Sequence, residues 1–223
     1  MISAVIPCWN EAPAIRTAVD AAREVADEVI VADANSPDGS AALAGQAGAR
    51  VVHAARGRGH QLVAGAAAAR GDILLFLHAD ARLPAAARPA IVSALANSAI
   101  GGGNFRLRFE PDGGWARVFG FVNHERRRWL RVYYGDSGLF VRRTVYDRLG
   151  GFKELPIMED YDFIRRLERT AQTVYLSDIE IAASARRFAD RPLRTLAIWT
   201  AIQTLASSGV SPHRLARWYE DIR

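Results

Sequence analysis

Three acidic residues, Glu159, Asp160 and Asp162, stand within four positions of the chain. The surrounding pattern predicts a helix that begins near residue 157, and each acidic side chain in a first helical turn gains about 0.3–1 kcal/mol from the helix dipole. One or two acidic residues would suffice for that role, whereas three repel one another. We therefore expect a metal ion, arginine partners or catalysis to account for them. A carboxylate at a helix start also stays ionised at neutral pH and could accept a proton from a hydroxyl group.

Asp80 follows the apolar run Asp72–His78, which predicts a buried β-strand. A carboxylate in such a position costs desolvation free energy unless it is paired or binds a metal ion. Its oxygens suit Mg²⁺ or Mn²⁺, ions that commonly bridge one or two carboxylates and the phosphates of a substrate. His78 lies two residues earlier, on the same side of an extended chain, and is a candidate second ligand. A neutral histidine bonded to the backbone explains His78 equally well.

Asp33 ends another apolar run and is followed by the turn-forming segment NSPDGS. Its carboxylate could bind a base or ribose, or it could bond the backbone amides of the turn, as we expect for Asp38. The basic loop 55–61, ARGRGHQ, places Arg56 and Arg58 among glycines ahead of a helix, a setting that favours phosphate. The loop matches neither the GxGxxG fingerprint nor a P-loop, so neither of those nucleotide-binding classes has support.

The elements that would position these residues follow from the alternation of short apolar runs with helical stretches. Predicted strands cover 3–7, 28–33, 50–53 and 72–78, and predicted helices 12–26, 40–47, 61–70 and 85–97. Continuous apolar strands spaced by helices indicate an α/β fold with a mostly parallel central sheet and helices on both faces. Ligands of such sheets bind at the carboxyl ends of the strands. Asn10, Glu11, Asp33 and Asp80 each follow a strand, so we expect them to converge on one crevice.

The second half of the chain departs from this alternation. Its predicted elements are strands at 101–109, 135–142 and 173–183 and helices at 143–149, 157–170 and 192–207. Residues 110–134 are aromatic and basic, and we interpret them as an acceptor-side lid, although a contact with lipid or a partner chain fits equally. The last helix could be core, dimer interface or membrane-surface contact, with core as the default interpretation.

The composition restricts the function classes. The net charge is +5, almost all of it from arginine, which is compatible with a phosphorylated ligand or with a general preference for arginine. The basic run 124–131 alone is a weak sign of nucleic acid, and we expect no nucleic-acid partner. No run approaches the roughly 20 apolar residues that span a bilayer. The N-terminus lacks a signal-peptide pattern and the single Cys8 cannot form an internal disulfide, so we expect a cytoplasmic location, with membrane association left open.

In this order, the motifs resemble the inverting family 2 glycosyltransferases with the GT-A fold, over residues 2–167. The segments that carry the resemblance are VIPCWNEA, DANSPDGS, RGRGHQLVAGAAAARGDILLFLHAD and GLFVRRTVYDRLGGFKELPIMEDYDFIRRL. The resemblance implies a nucleotide-diphosphate sugar donor, an acceptor hydroxyl and inversion, with Asp160 as base beside Glu159. The donor-binding residues that it implies are Pro7, Asn10, Glu11, Asp33, Arg56, Arg58, Ala79 and Gly103.

The family's Asp-x-Asp motif stands here as His78-Ala79-Asp80, so its first carboxylate is missing. The resemblance therefore implies binding of Mg²⁺ or Mn²⁺ by Asp80 alone, with strict metal dependence open, while His78 stays a candidate second ligand because of its position two residues before Asp80. The basic run 186–188 would contact the diphosphate. His-Ala-Asp and the tail GVSPHRLARWY together are similar to a bacterial subgroup associated with arsenosugar biosynthesis.

We expect one domain, in which residues 1–100 form a nucleotide-binding half, 101–190 an acceptor-side half and 191–223 a C-terminal helical segment. One alternative is a nucleotidyltransferase of related fold, which would need a Gly-rich loop where the chain has CWNEA. A second is a catalytically silent protein that only binds nucleotide-sugars. The acceptor could be a small molecule, a lipid or a glycan, and a homodimer is compatible with the sequence.

Overall fold

The computed structural model describes residues 1–222, with all side chains except those of Arg187 and residues 220–222. The strands are β1 (Ile2–Cys8), β2 (Glu28–Asp33), β3 (Arg50–His53), β4 (Ile73–Phe76), β5 (Ile100–Glu110), β6 (Leu139–Arg142) and β7 (Gln172–Ser184). They form one sheet in the order β3-β2-β1-β4-β6-β5-β7. β6 runs antiparallel to β4 and β5, and the other strands are parallel. The predicted α/β class with a mostly parallel sheet is confirmed.

The helices lie on both faces of this sheet. They are α1 (Ile15–Val25), α2 (Ser40–Gln46), α3 (Arg58–Ala68), α4 (Ala87–Ala96), α5 (Gly114–Leu130), α6 (Arg143–Arg148), α7 (Glu159–Thr170), α8 (Pro192–Ser207) and α9 (Pro212–Ile222). Successive side chains of β2 belong to different hydrophobic clusters. The cluster of Ile30 also contains residues of α3, α6 and α7, whereas the cluster of Val29 and Val31 contains residues of α1, α2 and α4. Both faces of the central strands are thus buried, which is why these strands are continuous apolar runs.

Three boundaries near the strand ends differ from the predictions. β4 ends at Phe76, two residues early, and the turn that follows is closed by a hydrogen bond from the Ala81 amide to the His78 carbonyl at 3.1 Å. α3 begins at Arg58 rather than at residue 61, after Gly57, whose φ of +128° suits glycine. β6 begins at Leu139, because residues 135–137 form a 3-10 turn.

Residues 110–134, for which no helix was predicted, contain α5, which spans 17 residues. The buried face of α5 includes Arg127 as well as Phe119, so apolar spacing alone does not reveal it. Arg127 donates to Asn104 Oδ1 at 2.7 Å and lies 3.3 Å from Glu168 Oε1, a carboxylate on α7. A buried ion pair thus takes the place of apolar contacts along this helix.

The expectation that α8 belongs to the core is wrong for most of its length. Ile202 is its one buried residue. Leu196 and Trp199 are partly buried against the core, and Leu193 is 65% exposed. The helix therefore lies over the edge of the molecule. No helix between residues 1 and 222 combines the length and the apolar character needed to cross a membrane.

Candidate functional site

The loops that follow β1 and β2 are joined side by side at the carboxyl ends of these strands. Three amides of the first loop donate to side chains of the second: Asn10 to Ser36, Glu11 to Ser40 and Ala12 to Asp38, at 3.0, 2.9 and 3.0 Å. Asp38 also accepts from the amide of Ser40, so its predicted turn role is confirmed. Asp33 is fully buried, and its oxygens accept from the amide and hydroxyl of Ser36 at 2.8 and 2.6 Å. Asp33 thus also holds a turn, and its contact with a nucleoside stays a prediction.

The start of α3 is fixed against the same strand ends. The side-chain amide of Gln61 donates to the carbonyls of Cys8 and Ala32 at 2.6 and 3.1 Å. In the preceding loop, the guanidinium of Arg56 lies over the ring of Trp9, 4.6 Å from its centroid. The two arginines of the basic loop are therefore separated, because Arg56 stays at the β1 end while Arg58 begins the helix.

Arg58 joins α3 to the acidic residues at the start of α7. Its Nε donates to Glu159 Oε1, and its Nη2 lies 3.3 Å from Asp160 Oδ2. Glu159 and Asp160 are only 1% and 4% exposed. Burial raises the pKa of Glu159, and the charge of Arg58 opposes that rise. Burial would lower the pKa of Arg58, but the two carboxylates outweigh it and raise that pKa above its ordinary value. The arginine partner expected for the acidic cluster is thus Arg58.

The carboxylate of Asp160 is oriented by two backbone amides. Gly135 donates to Oδ2 at 2.9 Å and Tyr161 donates to Oδ1 at 2.8 Å. Asp160 and His78 line one cavity of about 10 Å³, which has room for about one water molecule. A Cβ atom at Gly135 would lie 3.3 Å from both Asp160 Oδ2 and His78 Nε2, so this position has little room for a side chain. A carboxylate oriented in this way is placed to accept a proton from a hydroxyl group.

Asp80 faces another part of the site. It lines an open cleft of about 490 Å³ whose walls include Arg82, Arg108 and Ser184. Arg186 donates to the two carboxylate oxygens of Glu11 at 2.7 and 2.9 Å and lies 3.6 Å from Asp80 Oδ2. One guanidinium therefore connects the ends of β1, β4 and β7.

The predicted ligand pair, His78 and Asp80, lines two different cavities, because β4 ends at Phe76 and the chain turns before Asp80. Binding of a metal ion by this pair stays a prediction. Within the described part of the chain there is no group of three His, Cys, Asp or Glu side chains placed to hold an ion. One carboxylate together with substrate phosphates can bind Mg²⁺ or Mn²⁺, but the carboxylate of Asp80 already lies 3.6 Å from the positive charge of Arg186. The protein side chains fit a divalent ion poorly.

The remaining predicted donor-site residues lie in different parts of the structure. Pro7 lines the cavity of Asp160, and Ala79 is buried in the turn after β4. Gly103 lies inside the sheet opposite Phe140 of β6, and a Cβ there would meet the Val174 carbonyl oxygen at 2.2 Å. Close packing of strands explains this glycine, and its contact with a donor stays a prediction. The side chain of Arg187 lies outside the described residues.

Of two residues beside Asp160, sequence reasoning placed Tyr134 only within the aromatic segment 110–134 and missed Gly135. Tyr134 packs against the ring of Tyr161, with 6.2 Å between centroids, and its hydroxyl bonds Gln203 of α8. Gly135 supplies the amide that orients Asp160. The available signal was the run YYGD at 133–136, in which a glycine between bulky and acidic residues indicates a close approach of the backbone.

The family assignment comes from a comparison with protein-family models. The model described as "Glycosyl transferase family 2" matches residues 3–153, more than half of the 223-residue chain. The chain belongs to this family. It is a glycosyltransferase by that membership, and its sheet and helices are those of the GT-A fold. No curated protein sequence gives a significant match.

Several solved glycosyltransferases have a similar fold. Glucosyl-3-phosphoglycerate synthase from Mycobacterium tuberculosis, solved with Mn²⁺, UDP-glucose and phosphoglyceric acid, is 24% identical, with a TM-score of 0.62 over 94% of this chain and 80% of that one. Mannosyl-3-phosphoglycerate synthase from Rubrobacter xylanophilus is 18% identical, with a TM-score of 0.62 over 94% and 75%. S. aureus TarS, solved with UDP-GlcNAc, is 18% identical, with a TM-score of 0.67 over 83% and 58%.

Proposed function

We propose that this glycosyltransferase moves a sugar from a nucleotide-diphosphate donor to an acceptor hydroxyl, with inversion at the anomeric carbon. The observation that carries the proposal is the buried carboxylate of Asp160, which two backbone amides orient at the carboxyl edge of the sheet. Family membership supports the reaction class. Two structural neighbours were solved with UDP-glucose and UDP-GlcNAc, which supports a nucleotide-sugar as donor.

The donor would lie across the ends of β1, β2 and β4. In this proposal, Asn10, Glu11 and Asp33 contact the nucleoside, and Arg56 and Arg58 face the phosphates. The joined loops after β1 and β2 support the first assignment, because they present backbone and acidic groups at one edge of the sheet. The main chain at Pro7, Ala79 and Gly103 would complete the donor site.

The chemical step is a single displacement. An oxygen of the acceptor hydroxyl forms a bond to the anomeric carbon while the bond from that carbon to the diphosphate oxygen breaks. The electron pair of the broken bond leaves with the nucleoside diphosphate, and the hydroxyl proton passes to Asp160. Attack from the face opposite the leaving group inverts the configuration. Glu159 would act indirectly, since it holds Arg58 beside Asp160.

A divalent ion would supply positive charge to the departing diphosphate, and one structural neighbour was solved with Mn²⁺. Asp80 is the residue of this chain that would bind such an ion. Its carboxylate is paired with Arg186 and His78 lines another cavity, so the residues here fit the ion poorly. Cytoplasmic location and a homodimer stay predictions.

The test combines ligand binding with turnover. Nucleotide-sugars are screened by thermal shift, since a bound donor raises the melting temperature by mass action. The donor that binds is then assayed for hydrolysis and for transfer to candidate hydroxyl acceptors. Asp160→Asn is expected to lower kcat about 10²–10⁴-fold while the donor-induced thermal shift is kept.

The matched control is Asp162→Asn. Asp162 lies two residues further along α7 and pairs with Arg166 at 2.7 Å at the surface, so this variant should turn over at the wild-type rate. Transfer by Asp160→Asn at the wild-type rate would refute the assignment of the base. Donor binding without hydrolysis or transfer by the wild type would favour the catalytically silent alternative, and binding of no nucleotide-sugar would refute the proposed function.

A further inference from the structure

Arg186 is a fixed positive charge at the ends of three strands. It lies in a 3-10 turn directly after β7, 175 residues from its partner Glu11. Its side chain is 50% exposed, while those of Glu11 and Asp80 are 18% and 12% exposed. The hydrogen bond to Glu11 is the main cause of the raised pKa of Arg186. The guanidinium therefore stays charged and open to solvent between two largely covered carboxylates.

The chemistry of this position matches a diphosphate. A guanidinium presents five N–H donors in a planar fork, which matches the oxygens of a phosphate bidentately. Glu11 and Asp80 hold the group in place through one terminal nitrogen, Nη2. Asp80 also lines the open cleft, so a ligand that enters there meets Arg186 beside it.

We propose that Arg186 is the cation that binds the diphosphate of the donor, so that nucleotide binding does not require a divalent ion. As the ligand binds, the phosphate oxygens take the donors that face solvent, and Glu11 and Asp80 keep the guanidinium in position. The inference rests on the proposed function, because it presumes a nucleotide-diphosphate donor. In this proposal, the positive charge that faces the diphosphate comes from a side chain rather than from a metal ion.

The experiment is a titration calorimetry series with UDP, GDP and the corresponding monophosphates, in EDTA and in Mn²⁺. The wild type should bind one of the diphosphates in EDTA nearly as tightly as in Mn²⁺. Arg186→Gln should weaken this binding in EDTA about 10- to 100-fold, the range expected for lost hydrogen bonds to a charged group. Binding of the monophosphate should change little, whereas a merely structural role would weaken both ligands alike.

The matched control is Arg88→Gln. Arg88 is a half-exposed arginine paired with Asp27 at 2.6 Å, and its loss should leave nucleotide binding unchanged. Wild-type binding that requires Mn²⁺, or unchanged binding by Arg186→Gln, would overturn the inference and leave the proposed function standing. Binding of no nucleoside diphosphate under either condition would overturn both.

A second inference comes from the outer face of α5. Among the described side chains ten large hydrophobic residues are exposed, and six of them belong to this helix. They are Trp115, Val118, Phe121, Val122, Trp129 and Leu130, which we call the α5 apolar face. Phe121, Trp129 and Leu130 are more than 60% exposed. A patch of this kind marks a contact surface.

The spacing and charge of α5 indicate the partner. Trp115, Val118, Val122 and Trp129 share one side of the helix, since their spacings of three, four and seven residues match its period. The exposed arginines Arg128 and Arg131 flank them, and a third, Arg117, is paired with Asp112 at 3.0 Å. The acidic residue of this face, Glu125, accepts a hydrogen bond from the Trp129 ring at 2.7 Å.

The geometry points to an anionic lipid surface as the partner of the α5 apolar face. Aromatic residues beside arginines suit the headgroup region of a bilayer, whereas a second copy of this face would bring like charges together. The chain passes from the end of α5 to Gly135, which bonds Asp160, within five residues. A bound membrane would therefore lie close to the proposed base.

The test is sedimentation with vesicles of phosphatidylcholine alone and of phosphatidylcholine with 30% phosphatidylglycerol. The wild type should bind the anionic vesicles. Two double variants should each lower this binding about tenfold or more: one replaces the apolar contacts, Phe121→Ser/Trp129→Ser, and the other reverses two charges, Arg128→Glu/Arg131→Glu. Val92→Ser, at an exposed valine of α4, and Arg16→Glu, at an exposed arginine of α1, are the controls and should bind normally. Absence of vesicle binding, or a wild-type dimer that Phe121→Ser/Trp129→Ser dissociates in light scattering, would overturn the inference.

Discussion

At the scale of single residues, the acidic start of α7 is accommodated because each carboxylate has its own partners. Glu159 is bound by Arg58, Asp160 by two backbone amides, and Asp162 by Arg166. The sequence indicated that three such charges require partners, and the structure supplies arginines for Glu159 and Asp162 and, for Asp160, backbone amides together with Arg58. Glu159 and Asp160 are buried, so their charges require the nearby charge of Arg58, whereas Asp162 is partly exposed and is paired with Arg166.

Arg58→Met should destabilise the fold, and more strongly as the pH rises. Burial already raises the pKa of Glu159, and removing Arg58 raises it further. A carboxyl group whose pKa is higher in the folded state favours folding below its unfolded pKa of about 4.3 and loses that contribution as the pH rises through its folded pKa. The loss in free energy of unfolding should therefore be small at pH 5 and about 3 kcal/mol at pH 7.5, at the low end for a buried pair because Arg58 is a third exposed.

Urea denaturation at the two pH values measures this difference. Arg16→Met, at an exposed arginine of α1, is the control and should change stability little at either pH. An equal loss for Arg58→Met at pH 5 and pH 7.5 would mean that lost packing, rather than the charge of Arg58, stabilises the start of α7.

At the scale of elements, the 3-10 turn before β6 determines the setting of Asp160. The turn brings Gly135 against α7, where its amide donates to Asp160 and its missing side chain leaves room for His78. The sequence predicted a strand over this segment. The turn has hydrogen bonds of its own, such as that from the Ser137 amide to the Tyr134 carbonyl, but its place beside Asp160 could not be foreseen, because the bond between Gly135 and Asp160 joins residues 25 positions apart.

Gly135→Ala should lower kcat roughly tenfold, with little change in stability. The added methyl group would lie 3.3 Å from Asp160 Oδ2 and would displace the carboxylate by a few tenths of an ångström, and small errors of position are costly in catalysis. The control is Gly45→Ala in α2. A Cβ at this position meets nothing within 4 Å, so the substitution should stabilise the helix slightly. Steady-state kinetics and thermal melting distinguish the two, and a wild-type kcat for Gly135→Ala would contradict this role of the turn.

α5 was missed for a related reason. Its outer face carries exposed aromatic residues and its inner face contains Arg127, which reverses the usual pattern of apolar inside and charged outside. The partners of Arg127 are Asn104 on β5 and Glu168 on α7. The spacing of apolar residues along α5 cannot reveal this ion pair, because its acidic partner, Glu168, lies 41 residues later in the chain.

At the scale of the whole molecule, the parallel arrangement made the crevice predictable. Strand-end residues of a parallel sheet meet at one edge, and Glu11 and Asp80 do meet there through Arg186. The sheet also joins the two predicted halves, since β3, β2, β1 and β4 continue directly into β6, β5 and β7. His78 could not be placed from the sequence, because its direction depends on where β4 ends, and a two-residue error moved it into another cavity.

The bond between Arg186 and Glu11 also sets an order of events in folding. It closes a loop of 175 residues, and contacts of such long range form late because the chain must first give up the entropy of that loop. During synthesis, the loops after β1 and β2 and the helix α7 emerge before residue 186 exists. The growing chain therefore acquires Asp160 before it acquires the charge that joins β1, β4 and β7, and the crevice is incomplete until the strand that precedes Arg186 has been made and paired.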